Sequence, residues 1–211
     1  MHNCSHIIWD WNGTLLDDTR ACVNSVNKML VERNLPLLSI ERYRDIFGFP
    51  VFDFYRKIGF QLEEEDRDAM AVEFHDLMLS DDSIGLQPGV KQTLSALKRR
   101  GFTQSVLSAS EQSILDAMIN DYELAAFFSQ ITGINNLYGD SKMSMGQRLV
   151  EIMGVSSESI VIVGDSLHDY EVAEELNVKC ILVSCGHQSH LRLAETGMPV
   201  FRSCSDVLDY L

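Results

Sequence analysis

The chain has 211 residues, 45% hydrophobic and 23% charged, with a formal net charge of −14. That suits one globular core with a modest insertion, and the acidic balance makes nucleic acid and anionic membrane poor partners. Nothing approaches the roughly 18 apolar residues of a bilayer span, no basic-then-apolar leader opens the sequence, and five scattered cysteines without a Cys-x-x-Cys pair read as reduced thiols, so a cytoplasmic protein is expected.

The apolar run Ile7-Ile8-Trp9 ends abruptly in Asp10, followed by Trp11-Asn12-Gly13-Thr14. Such a run reads as a buried parallel strand, which puts Asp10 at its carboxyl end, where open α/β sheets bind ligands. A charge there is costly unless something compensates it, as a metal or phosphate site would.

From Asp17 to Leu86 no strand pattern appears. One helix starts at Asp17-Asp18 and carries Val23, Val26, Leu30 and Val31 at helical spacing; three more are expected at about 39–47, 51–58 and 63–79, punctuated by Gly48, Pro50 and Gly59. Plain βαβ winding would alternate instead, so residues 17–86 read as an all-helical insertion. Arg44, Phe47, Phe49, Arg56 and Lys57 flank its central turn and are, as a group, candidates for substrate selection.

Alternation resumes at residue 87. Pro88 is expected to open a helix that Gly101 stops, followed by a strand at 102–107 ending in Ser108-Ala109-Ser110. Ser108 alone fits a helix cap as well as a functional role. A helix at 111–120, a short one at 122–127 and a strand at 129–132 follow, and Ser141-Lys142 then opens a helix to Met153. A second fully apolar run, Ile160-Val161-Ile162-Val163-Gly164, ends in Asp165, with Asp169 four residues on. A helix at 169–176, a strand at 180–183 and a strand–helix pair at 200–211 complete the pattern. His168 and His187 read as loop residues rather than bases.

Asp-x-x-Gly-Thr-Leu after the first strand and Gly-Asp-x-x-x-Asp after the later one, with Ser108 and Lys142 between them in order, resemble the four motifs of the haloacid dehalogenase-like hydrolase superfamily, in its phosphoglycolate phosphatase and β-phosphoglucomutase-like branch. The resemblance implies a doubly wound, Rossmann-like α/β core (1–16 and 87–211) carrying a helical cap (17–86). It implies a Mg²⁺-dependent phosphohydrolase acting on a small phosphorylated metabolite. Asp10 would be the nucleophile, forming an aspartyl-phosphate. Asp10, Asn12 (through its backbone carbonyl) and Asp165 would hold Mg²⁺, with Asp169 in support. Ser108, the backbone at Ala109, and Lys142 would hold phosphate.

One residue departs from the pattern. The superfamily's phosphatases carry a second Asp where this chain has Asn12, and an amide has no proton to donate in the useful range. The electrostatic part of catalysis survives that loss, so slow turnover of alkyl esters is expected, with less handicap on acyl phosphates. Conversion of Asn12-Gly13 to Asp by deamidation would restore the motif. Phosphonoacetaldehyde hydrolases also replace this Asp but need a cap lysine near Val51, for which Lys57 is the nearest candidate. The 2-haloacid dehalogenases use no metal, against which the second pair of acids argues. A non-catalytic protein binding a phosphorylated ligand or partner is the alternative of a different class, and the joint presence of Asp10, Ser108, Lys142 and Asp165 counts against it.

Overall fold

The structure is a computed structural model that describes residues 4–135, 137 and 142–211. In chain order the elements are β1 (His6–Trp9), β2 (Leu16–Asp17), α1 (Thr19–Glu32), α2 (Ile40–Ile46), α3 (Val51–Lys57), α4 (Arg67–Leu79), β3 (Gly85–Leu86), α5 (Val90–Arg99), β4 (Thr103–Glu111), α6 (Gln112–Asp121), β5 (Gln130–Ile134), α7 (Lys142–Met153), β6 (Ile160–Gly164), α8 (Leu167–Glu175), β7 (Lys179–Val183), α9 (His190–Ala194), β8 (Val200–Phe201) and α10 (Cys204–Tyr210). Six strands form one parallel sheet in the order β5-β4-β1-β6-β7-β8. The chain leaves β1 for β4 on one side and reaches β6 on the other, so β1 stands at the topological switch point.

The strand period of two explains why β1 and β6 are apolar throughout. Ile7 and Trp9 enter the core on one face of the sheet with Val161 and Val163; Ile8 enters the other with Ile160 and Ile162. Helices α1 to α4 pack around a separate core that includes Val26, Met29, Tyr43, Phe54 and Met70. Cap and core are tied through α2. Arg44 donates to the carbonyls of Gly186 (2.8 Å) and Cys185 (2.9 Å), and Arg192 donates to the carbonyl of Phe47 (2.6 Å).

Several expectations need correction. Residues 17–86 are not free of strands: β2 and β3 form a two-residue antiparallel pair at the base of the cap, with Leu16 opposite Leu86. Two residues are too few to show a period-two pattern. Pro88 does not open α5, because Gly89 at φ +80° intervenes and the helix begins at Val90. α4 begins at Arg67 rather than near residue 63, since the Asp66 carboxylate accepts from the backbone N–H groups of Asp68 and Ala69 and so fixes the cap four residues later. The segment near 122–127 is a single 3₁₀ turn over Ala125–Phe127, and α9 carried no period long enough to read. Ser141 lies outside the described residues; Lys142 begins α7.

Candidate active site

The carboxyl ends of β1, β4 and β6 converge on one cleft under the cap. It encloses about 1180 Å³ of empty space, part of it open to solvent. Asp10 follows β1, its backbone N–H bonded to the carbonyl of Val163 on β6, and Asp165 follows β6. Asp169 is one turn into α8, fully buried, where its Oδ2 accepts from the backbone N–H (3.1 Å) and hydroxyl (2.6 Å) of Ser166. Lys142 reaches in from the start of α7. Its ammonium bridges two acids, at 2.5 Å from Asp10 Oδ1 and 2.6 Å from Asp169 Oδ1. The Thr14 hydroxyl lies 3.2 Å from both Asp10 Oδ2 and Asp165 Oδ1.

Negative charge dominates this centre. Carboxylate oxygens of Asp10, Asp165 and Asp169 all lie within 4.8 Å of one another. Burial, with Asp169 beside it, holds the Asp10 carboxyl well above the ordinary range despite the pull of Lys142. Burial likewise lifts Asp165 to about 6, against the opposing effect of His187. Burial would push Lys142 down, but its two acid partners win and its pKa is raised, so it stays an ammonium. One ammonium facing three buried carboxylates leaves charge to be met, and hard oxygen donors at this spacing suit a divalent cation.

Two glycines make the approach possible. Gly13 has φ +75°, and a Cβ there would collide with the Asp165 carboxylate and the His187 ring; a Cβ on Gly186 would strike the same carboxylate. Only glycine lets both loops close on Asp165.

Asn12 is held at both ends of its amide. Its Oδ1 accepts from the hydroxyls of Ser110 (2.6 Å) and Ser108 (3.3 Å), and its Nδ2 donates to Asp18 Oδ2 (2.7 Å). The following Gly13 N–H donates to Asp18 Oδ1 at 2.9 Å. Deamidation needs that nitrogen to attack the Asn12 side chain, and here both groups are committed elsewhere. Ser108 is fully buried behind Asn12, accepting from the backbone N–H of Ser110 at 3.0 Å, whereas Ala109 and Ser110 line the cleft.

Three participants are not legible in the sequence. Asp18 appeared as a helix-start acid, but its carboxylate makes no cap bond to α1 and turns into the Asn12-Gly13 loop. His187 appeared as an ordinary loop residue. It is buried, with Nε2 3.1 Å from Asp18 Oδ1, Nδ1 3.0 Å from the Tyr43 hydroxyl, and its backbone N–H bonded to Asp165 Oδ2 at 2.5 Å. Ser110 carries no sequence signal that sets it above Ser108. No local signal separates Asp17, which is exposed, from Asp18, which is buried. His168 lies on α8 with its ring 4.9 Å from that of Phe49.

Of the cap residues singled out, Phe47 and Phe49 line the cleft; Arg44, Arg56 and Lys57 do not. Arg44 is spent on loop carbonyls, Arg56 pairs with Asp53 at 2.8 Å, and Lys57 is exposed at the end of α3. Val51 does line the cleft, so no described cap lysine stands where a Schiff base would form. All five cysteines are free thiols, and among the described residues no helix is long and apolar enough to cross a membrane.

A family model described as haloacid dehalogenase-like hydrolase matches residues 7–183, and the chain belongs to that family. It is 25% identical to phosphoglycolate phosphatase 1 of Pseudomonas aeruginosa, over 90% of this chain and 72% of that one. It is 26% identical to a phosphoglycolate phosphatase of Aquifex aeolicus, over 86% and 85%. Its fold matches that of a haloacid dehalogenase-like family protein from Streptococcus pneumoniae, with a TM-score of 0.82 at 18% identity, covering 100% and 99% of the two chains.

Proposed function

We propose that this hydrolase is a Mg²⁺-dependent phosphatase of small phosphorylated metabolites that works through an aspartyl-phosphate on Asp10. The observation that carries the reading is the Asp10–Lys142–Asp169 bridge beside Asp165: a buried nucleophile, a fixed ammonium and unmet negative charge at the end of the switch-point strand. Its relatives' names support phosphate monoesters as substrates, phosphoglycolate among them.

Asp10, Asp165 and the Asn12 carbonyl would hold Mg²⁺, with Asp169 fixing Lys142 beside them; bound there, the ion would neutralise charge on phosphate and nucleophile. Lys142 supplies a fixed positive charge to phosphoryl oxygens. The Ala109 backbone would serve phosphate directly, and the Ser108 and Ser110 hydroxyls, which donate to Asn12 Oδ1 in the structure, would have to turn to phosphate on binding. Residues 1–16 and 87–211 form the catalytic unit and 17–86 the cap that covers it, in a cytoplasmic enzyme. Asn12 occupies the acid–base position without its proton.

The test is phosphate release from a phosphometabolite panel with Mg²⁺, comparing native protein, Asp10→Asn and Asn12→Asp. Turnover by native protein that Asp10→Asn abolishes supports the nucleophile. Silence of both, with activity gained in Asn12→Asp, would favour a disarmed protein that only binds phosphorylated ligands.

A further inference from the structure

The cleft above Asp10 is walled by Phe47, Phe49, Phe52, Phe74, Ile114 and Met118. Among the described lining residues the cap supplies no lysine or arginine, and the lining cations are Lys142 and His187, both at the floor. His187 uses both ring nitrogens, one on Asp18 and one on Tyr43, so neither is free to serve a substrate. A small ester with a second anionic group, such as phosphoglycolate, would place its carboxylate against this wall with no lysine or arginine among the described cap residues that line it, which burial penalises heavily. An aromatic ring would instead meet ring edges and faces in the arrangements such rings favour.

Asn12 points the same way independently. Its amide cannot protonate a departing oxygen, so the leaving group must depart as an anion. A phenol ionises near pH 10, as tyrosine does; water, a guide for simple alcohols, ionises about six units higher, near 15.7.

Resting on the hydrolase reading above, we infer that the substrate is an aryl phosphate, a monoester whose bridging oxygen is borne on an apolar aromatic ring. A carboxylate oxygen of Asp10 attacks phosphorus. The Asp10–phosphorus bond forms as the phosphorus–aryl oxygen bond breaks, and its electron pair leaves with the aryloxide, which takes a proton from solvent. Water then attacks the phospho-enzyme, losing its proton to the released phosphate or to solvent and regenerating the Asp10 carboxylate.

The experiment has two arms, both on the full chain with Mg²⁺. The first compares kcat/KM for 1-naphthyl and phenyl phosphate with that for phosphoglycolate and glycerol 3-phosphate. The aryl esters are expected to win by roughly 100-fold or more, the scale on which a site rejects mismatched chemistry. The second measures calorimetric binding of phenylphosphonate and phosphonoacetate, which are not esters; the aryl compound is expected to bind about tenfold tighter, a spread calorimetry resolves. Equal or better turnover of phosphoglycolate overturns the aryl assignment and leaves the hydrolase reading standing. If no ester is cleaved, the hydrolase reading fails and binding alone decides: tighter phenylphosphonate supports an aryl ligand, and phosphonoacetate binding equally well overturns it.

Discussion

Nε2 of His187 stands 3.1 Å from Oδ1 of Asp18, both side chains buried, where the first cap helix meets the loop after β7. Burial alone would lower the imidazole pKa, but Asp18 reverses this and raises it to about 9; reciprocally, His187 and the donors from Asn12 and Gly13 bring Asp18 below its usual range despite burial. The pair is therefore ionised at neutral pH. It also orders the loop, since Asp18 anchors Asn12 and Gly13 while the His187 backbone anchors Asp165.

His187→Ala leaves the Asp18 charge buried without its cation. Breaking a buried pair from one side typically costs about 3–5 kcal/mol, and a loss of that order is expected in urea denaturation. Adding Asp18→Asn removes the stranded charge and should recover part of it. Full additivity of the two substitutions would refute the coupling.

Asn12→Asp replaces the Nδ2 donor with a carboxyl oxygen 2.7 Å from the Asp18 carboxylate. Two carboxylates so close cannot both ionise easily, so one proton is retained between them. The variant should be less stable than native protein at pH 8 and recover as pH falls to 5. That retained proton is also what a general acid requires, and turnover of alkyl phosphates should rise about 100- to 10,000-fold. Phosphate release at saturating ester, alongside denaturation at both pH values, checks the two halves.

Asn12 can no more accept a proton from water than give one to a leaving group. With an aryl phosphate the first chemical step proceeds unaided, and hydrolysis of the phospho-enzyme becomes slow. Stopped-flow measurement should show a burst of phenol stoichiometric with enzyme, then a steady rate independent of the leaving group. Asn12→Asp should abolish the burst. Linear phenol release from the first turnover would place the slow step before phosphoryl transfer instead.

His6 is far from this chemistry and sets an acid limit. Its ring lies between the hydroxyls of Thr103 (2.6 Å) and Ser105 (2.8 Å), and burial lowers its pKa to about 4. In the unfolded chain it titrates near 6.5. Between those values the unfolded state takes up a proton that the folded state refuses, so stability is complete above about 6.5 and falls as pH drops toward 4. Denaturation midpoints should decline over that window in native protein and decline less in His6→Gln. Equal slopes for the two proteins would exclude this origin.

The sheet's central strands, a mostly helical insertion and seven polar or strand-end residues that the fold brings together are legible in local sequence. Apolar runs such as Ile160–Gly164 and the acid ending each of them are local features, because a buried parallel strand must be apolar along its length and a polar residue marks where it emerges. Asp10, Asn12, Ala109, Lys142, Asp165 and Asp169 accordingly meet at one cleft, with Ser108 directly behind it.

Which neighbours join them depends on long-range packing. Asp17 and Asp18 are adjacent identical side chains, yet one faces solvent in β2 and the other is buried against His187, 169 positions along the chain. Ser110, not Ser108, reaches the cleft because β4 changes register between Leu107 and Glu111. Arg44, a candidate for substrate selection, binds loop carbonyls instead. Each outcome depends on a partner far away in sequence and on which face a single residue turns toward it, and neither composition nor periodicity carries that information. The aromatic wall above Asp10 is of the same kind: its rings come from α3, α4 and the turn that follows α2, and only their packing aims them at one place.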